Sequence, residues 1–551
     1  MGNVRNILGR DDPERVSLSI AALPADADPV SVRIANRLRS NLQAIGIETS
    51  IDLLSPDSFR VEVLVNHNFD VAIARHPGGT DPDFLYSTLH SRFAPESGWQ
   101  NPYGFTNLEL DEALLEQRQL SGEDRRTLIG EILQRTAQEQ PFNPIAFPLD
   151  RRAYRMDRVG QVDGKAFDKG FDLYNLSTTR SLDRMTLSIR DPAATRNLNP
   201  LSVEFRQRGL VTGLLYDQLA VRTPSGVVPW LASRIDWSGS TASITLREAQ
   251  WHDGETLTAE DVAFTYRYLS DTSMGDRETA IPAPRYRGRL GLVDTTDVTS
   301  IRSLDITFDA DPTVANRALL IPILPRHVWR DRTDPAELAG IEWRDTFTEG
   351  LVTSNMPPVG SGPYQYVDHQ RREFLRLERV DDHFIDSLEL SHPVETPAGT
   401  LQFDAVPNDP TALEGISEGE FDLTLDPIAP DEDLESLEFG EIAVADPPTF
   451  YHVAYNIRNR PLSNTNFRRV VSRLVDKQHL SDVVFEGFAR VASTPVADPA
   501  WVPEDLRWDD GDPEVPFFGE DGVLGAARAR EALIEAGYRY DEEGVLLGRR
   551  S

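Results

Sequence analysis

Residues 244–266 read ITLREAQWHDGETLTAEDVAFTY. Their first part belongs to ASITLR (242–247), which alternates apolar and polar residues as a half-buried strand does. Asp253-Gly254 is a turn pair, flanked by Trp251 and His252. The same texture spreads outward from about residue 183. MTLSIR (185–190) and SLDITF (303–308) are further alternating strands, and YQYV with FLRLERV after 364 has the look of a hairpin. FDAV (403–406) and FDLTL (421–425) are two more strand candidates. Residues 271–300 carry few periodic apolar positions and read as a long loop.

The first 150 residues have another rhythm. RVSLSIAA (15–22) reads as a strand. Val32, Ile34, Ala35, Leu38, Leu42 and Ile45 then recur at helical spacing, with Gly46 where a C-terminal cap glycine belongs. Residues 47–53 and 69–74 are the next strands, 107–117 and 121–139 are amphipathic helices, and PFNPIAFPL (141–149) is extended. Helix alternating with strand argues an α/β lobe. Residues 465–488 and 525–538 are helical again, 495–516 is a Pro- and Asp-rich linker, and 160–182 is a polar loop.

The chain has 551 residues, past the size at which one core splits, so two lobes or more are expected. With 40% hydrophobic residues there is enough apolar material for large cores. The formal net charge is −33, and only three of the 56 basic residues are Lys (Lys165, Lys169 and Lys477). Such a surface repels itself at low salt, and molar salt removes that penalty by shortening the screening length to about 3 Å. Acidity almost without Lys is the habit of halophilic proteins. Nucleic acid is excluded as a partner, because no basic face could release counterions.

There are no cysteines, hence no disulfide, thiol nucleophile or lipid-modified Cys. MGNVRNILGR has no apolar signal-peptide core, and no run approaches the roughly 20 apolar residues of a membrane span. GxSxG, HExxH, the Walker A loop and GxGxxG are all missing, and the ten His residues are scattered. Ser361 lies in a Gly-Ser-Gly turn. The expectation is a protein that is not an enzyme, with no catalytic residues, no metal and no cofactor.

NLNPL (197–201), LLYDQLAV (214–221), GVVPWLAS (226–233) and the 244–266 block together resemble the N-terminal region of the extracellular solute-binding proteins of family 5. GSGPYQY (360–366), LEGISEGEFDLTL (413–425), YHVAYNIRNRPLSNTNFRRVVSRLVDKQHL (451–480) and ALIEAGY (532–538) continue the resemblance. The segments similar to the family's C-terminal part come first: VRIANRLRSNLQAIGIETSI (32–51), FDVAIARHPGGTDPDF (69–84), YGFTNLELDEALLEQRQ (103–119) and EILQRTAQEQPFNPIAFPL (131–149). The order is that of a circular permutant, with 160–184 as the bridge, or of a gene rearrangement.

The resemblance implies a two-lobe α/β fold of the periplasmic-binding-protein type, with a hinge and an extra inserted subdomain. Mapped here, 1–150 with 448–551 form one lobe, 151–221 with 336–447 the other, and 222–335 the insertion. It implies a monomer at the outer face of the membrane that hands a small solute, a peptide above all, to an ABC permease and ATPase. A non-exported ligand sensor and a rearranged, non-binding product are the alternatives. The cleft candidates are Arg75, His76, Asp81, Trp251, Tyr451, His452, Tyr455 and Asn456. Arg75 and His76 follow a strand's C-terminal end, where α/β sheets place ligands. Arg75 suits a carboxylate or a surface salt bridge. Asp81 suits a ligand or the turn and helix cap of Asp81-Pro82-Asp83. In peptide-binding members an Asp in this loop pairs with the ligand's α-amino group, whereas Gly78-Gly79-Thr80 stand here. Tyr451, His452, Tyr455 and Asn456 sit where a hinge strand enters its lobe, as ligand clamps or as core.

Overall fold

Both ends of the chain build one sheet. In this computed structural model, residues 14–548 are described except 161, 163–169, 175, 177, 180–181, 204–208, 224–225, 337–346, 389–395, 433, 435–436 and 438. The strands run in the spatial order Ala489–Val491, Phe142–Pro148, Phe450–Tyr455, Val71–His76, Ser17–Ala22 and Glu48–Leu53. Ser17–Ala22 pairs parallel with both neighbours, while Phe450–Tyr455 pairs antiparallel with both of its own.

Helices cover this sheet on both sides. Pro29–Ala44 starts at Asp28, whose carboxylate accepts from the Ser31 amide at 3.1 Å, with proline at the first helical position. It ends at Gly46, at φ +85°, where an added Cβ would lie 2.1 Å from the Gly544 carbonyl oxygen. Its apolar stripe shares a core with Phe467, Val471, Leu533 and Tyr538. The opposite face carries the helices Phe84–Leu89, Leu108–Glu116 and Gly122–Glu139, packed on Ala72, Phe142 and Phe450. The two described ends meet: the Val16 amide donates to the Leu546 carbonyl at 2.8 Å, and the Gly548 amide to the Glu14 carbonyl at 2.8 Å.

The other lobe is built on a seven-stranded sheet in the order Tyr364–Gln370, Phe374–Arg379, Ala398–Ala405, Leu182–Ile189, Leu423–Thr424, Asp150–Arg155 and Gly440–Ala445. A four-stranded antiparallel sheet, Val293–Ser300, Ser303–Phe308, Thr241–Leu246 and Ala232–Ser238, shares its core. Val293–Ser300 corrects the reading of 271–300 as a loop. It is an edge strand, mostly polar because only one partner and little core lie against it. Helix Ala259–Ser270 begins with a capping box, Thr258 and Asp261 each bonding the other's backbone amide.

Two short connections join the sheets. Leu149 links Phe142–Pro148 to Asp150–Arg155, and residues 446–449 link Gly440–Ala445 to Phe450–Tyr455. The polar loop read over 160–182 falls largely outside the described residues. No described helix is long and apolar enough to cross a membrane.

Candidate ligand-binding cleft

Between the sheets lies a cavity of about 210 Å³. One wall is made where strands of the first-described sheet end: Asp28 follows Ser17–Ala22, and Arg75 closes Val71–His76. Phe59, Arg60, Trp99 and Tyr451 complete that wall. The facing wall is Arg190, directly after Leu182–Ile189, together with Val203 and the 427–430 loop. Leu149 and Asp150, on one hinge connection, form the floor. The charged side chains are therefore three Arg and two Asp, set among apolar and aromatic groups.

Those charges are held in place. Asp150 is buried and takes Arg75 Nη2 at 2.8 Å and Arg152 Nη2 at 3.3 Å. Arg75 Nε also donates to Thr449 Oγ1 at 2.8 Å, which ties it to both hinge connections. Arg190 pairs with Asp409 at 2.9 Å and donates to the Pro427 carbonyl. Tyr451 Oη donates to Asp28 at 3.0 Å. Burial, then the Asp28 charge, pushes that phenol well above its usual range, so it remains a donor.

Of the eight residues proposed from sequence, the cavity brings together Arg75 and Tyr451. Arg75 makes a hinge ion pair. The other six lie elsewhere. His452 is buried, donating Nδ1 to the Ala74 carbonyl at 2.9 Å and facing Tyr103 Oη with Nε2 at 3.2 Å. Burial holds it down at about 4, so the imidazole is neutral. His76 stacks on Phe450 at 4.8 Å, and its Nδ1 accepts from the Gly78 amide at 2.9 Å. Tyr455 bonds Ser472 at 2.8 Å, and Asn456 donates to the carbonyls of His67 and Phe69 at 2.9 Å each. These strands are covered on both faces, so every position along Phe450–Tyr455 is buried.

Asp81 turns away from the cavity. It accepts from the Asp83 amide at 2.8 Å and from Arg125 at 2.6 and 3.0 Å. Burial pushes its carboxyl up, but the Arg125 bond and the Arg317 and Arg125 charges outweigh that and hold it below its usual range. Trp251 is buried in the other lobe's core. His252 beside it clamps the 360–362 turn, with Nε2 2.9 Å from the Gly362 carbonyl and Nδ1 accepting from the Gly360 amide.

Sequence reasoning missed Asp28, Arg60, Trp99, Asp150 and Arg190. Asp28 and Arg190 obey the strand-end rule that picked out Arg75. Arg60 and Trp99 carry no such signal.

The lobes also touch beyond the cavity. Gln100 Nε2 donates to the Pro284 carbonyl at 2.9 Å, and Arg287 pairs with Glu96 at 3.0 Å. Buried Asp83 receives Arg118 at 2.6 and 3.0 Å and also pairs with Arg317. Arg118 reaches across to the Gly288 carbonyl at 3.0 Å. The cleft is thus shut on its far side.

A family model described as bacterial extracellular solute-binding proteins, family 5 middle, matches residues 226–549. The oligopeptide-binding protein AppA of Bacillus subtilis is 23% identical over 301 residues, covering 54% of this chain and 48% of that protein. A binding protein of Brucella melitensis is 24% identical over 322 residues, covering 53% and 47%. The chain spans about half the length of the curated relatives it matches. Among solved structures, NikZ from Campylobacter jejuni in complex with Ni(L-His) is 16% identical, with a TM-score of 0.47 and coverage of 67% of this chain and 66% of that one.

Proposed function

This chain belongs to the extracellular solute-binding proteins of family 5, and from that membership we propose that it captures a small solute between its lobes and delivers it to an ABC permease and its ATPase. The observation that carries the reading is the cavity walled by strand ends from both sheets and floored by a hinge connection. Closing two lobes over such a space excludes water from the solute. Arg75 and Tyr451 are the proposed contacts kept from the sequence, with Arg60, Trp99 and Arg190 added. A peptide is the first solute to test. The protein acts as a monomer at the outer face of the membrane, and it binds without transforming its ligand.

The segment order is read as a circular permutation. The pairing of Val16 with Leu546, which sets the two described ends side by side, supports that reading. It goes with a division into 1–150 plus 448–551, 151–221 plus 336–447, and 222–335. The −33 charge is read as an adaptation to high salt.

The test is to purify the protein in molar KCl, denature it and identify released small molecules by mass spectrometry. A stoichiometric solute is the expected result. An empty protein that shows no thermal shift with peptide, sugar and carboxylate mixtures overturns the reading.

A further inference from the structure

Seven arginines gather where the lobes touch beyond the cavity. None of them lines the cavity. From one lobe come Arg118 and Arg125, held by Asp83 and Asp81. From the other come Arg222, Arg285, Arg287, Arg289 and Arg317. Arg287 has Glu96 and Arg317 shares Asp83. Among the described residues, Arg222, Arg285 and Arg289 form no ion pair with a carboxylate. Arg285 Nη1 donates to the Pro200 carbonyl and Arg289 Nη1 to the Leu320 carbonyl, each at 2.7 Å. Among the described residues, the buried Nε of Arg222 has no hydrogen-bond partner.

Hydrogen bonds draw these groups together. Arg118 joins the Gly288 carbonyl, one residue before Arg289, to Asp83, and Asp83 joins Arg317. Leu320, which accepts from Arg289, is three residues beyond Arg317. The segment leading to Arg222 runs beside 320–323, with the Ile323 amide donating to the Asp217 carbonyl at 2.9 Å. The charges act on one another: burial, then the charges of Arg317, Arg285 and Arg222, holds Arg289 down at about 10. Asp81 is the one carboxylate that raises Arg222, against burial and Arg317. In a chain of net charge −33, this contact gathers more arginines than carboxylates among the described residues.

A buried charge without a counter-charge destabilises the state that buries it. Guanidinium forks are matched to small anions, which they hold through several directed N–H donors. We propose that Arg222, Arg285, Arg289 and Arg317 hold a small inorganic anion, a halide or an oxyanion, which locks the lobes in contact. The anion is distinct from the transported solute. All four arginines stand on one lobe, and contact with the facing lobe is what buries them, so an anion that neutralises them lowers the cost of that contact and couples anion binding to closure.

The test is thermal unfolding at constant pH and ionic strength, with potassium gluconate replaced stepwise by chloride, or with phosphate titrated in. Wild-type protein should gain several degrees along a saturating curve, as a single site requires. Arg222→Gln with Arg289→Gln should match or exceed wild type in gluconate and lose most of the gain. Arg234→Gln, at a well-exposed position, should keep it. Chloride against phosphate distinguishes halide from oxyanion. Direct calorimetric titration of wild type with phosphate, and chloride-35 line broadening, provide readouts that do not depend on a variant folding. Equal unfolding temperatures in all salts, or a gain unchanged in the double variant, would overturn the site.

Discussion

The two places where the lobes communicate use the same side chains to opposite ends. At the hinge, Arg75 and Arg152 face Asp150, which lies on a connection that joins the sheets covalently. Arg75 and Asp150 stand on the two sheets, right beside that connection. At the outer contact, Asp83 faces Arg118 of its own lobe and Arg317 of the other, and Arg222, Arg285 and Arg289 form no ion pair among the described residues. That network exists only while the lobes touch. Beside the hinge's ion pairs lies the buried, neutral His452, whereas the outer contact gathers arginines in excess of the carboxylates described there. Protons should therefore act on the first and salt on the second.

Asp83→Asn should have the largest effect. The carboxylate is fully buried and Arg118 is nearly so, and removing one partner of such a pair costs about 3–5 kcal/mol. Urea unfolding would measure the loss, and small-angle scattering would show a larger radius as the lobes part. A loss under 1 kcal/mol with unchanged radius would mean that the outer contact does not hold the lobes.

The pH response comes next, and His452 beside the hinge contributes to it. His452 is held at about 4 by burial, against 6.5 in an unfolded chain. Between those values the unfolded state binds the extra proton, so stability falls as pH falls from about 6.5 to about 4 and then levels off. The shift corresponds to about 3 kcal/mol at most. His67, also held near 4 by burial first and then by Arg458, adds to the same window. Carboxylates held below their usual range, such as Asp81, act below that window. Stability measured from pH 7 to 4 should slope in wild type and flatten in part in His452→Gln. An unchanged slope would remove His452 from the account.

Much of the fold was legible because local periods survive in it. The 15–22 alternation, the helical stripe from Val32 to Ile45 and Gly46 all became the elements they suggested. Val293–Ser300 was not legible, since an edge strand with one polar face has no apolar period to show. The site was legible only in part. A strand-end rule finds Arg75, but nothing in one sequence says that Arg190 and the 427–430 loop will face it across the cleft. His452 and Tyr455 read either as clamps, because aromatic and imidazole groups suit ligands, or as core. In a central strand covered on both faces, those groups are core.

Gly78→Ala probes the hinge at closer range. Gly78 sits at φ +60°, and an added Cβ would lie 1.9 Å from the Pro448 carbonyl oxygen on the 446–449 connection. An alanine there has to leave the left-handed region or push the connection away, at a cost of about 1–3 kcal/mol. The loss should be seen in urea unfolding and should be indifferent to the anion present, in contrast to Asp83→Asn. A chloride-dependent loss would mean that the two regions are one mechanical unit.

Tyr451→Phe is the smallest change and the most informative about the cavity itself. The hydroxyl donates to Asp28 at 3.0 Å, and Asp28 also accepts from the Ser31 amide at 3.1 Å and Ser31 Oγ at 2.6 Å. Losing the phenol leaves the carboxylate with two donors, so no buried charge is orphaned and stability should fall by only about 1 kcal/mol. The freed acceptor position faces the cavity. A solute that carries a donor gains a partner there, and its affinity should hold or rise. A solute without one should bind about as before. A tenfold or greater loss of affinity, with stability nearly unchanged, would instead make the Tyr451 hydroxyl a direct ligand contact whose bond to Asp28 is exchanged on binding.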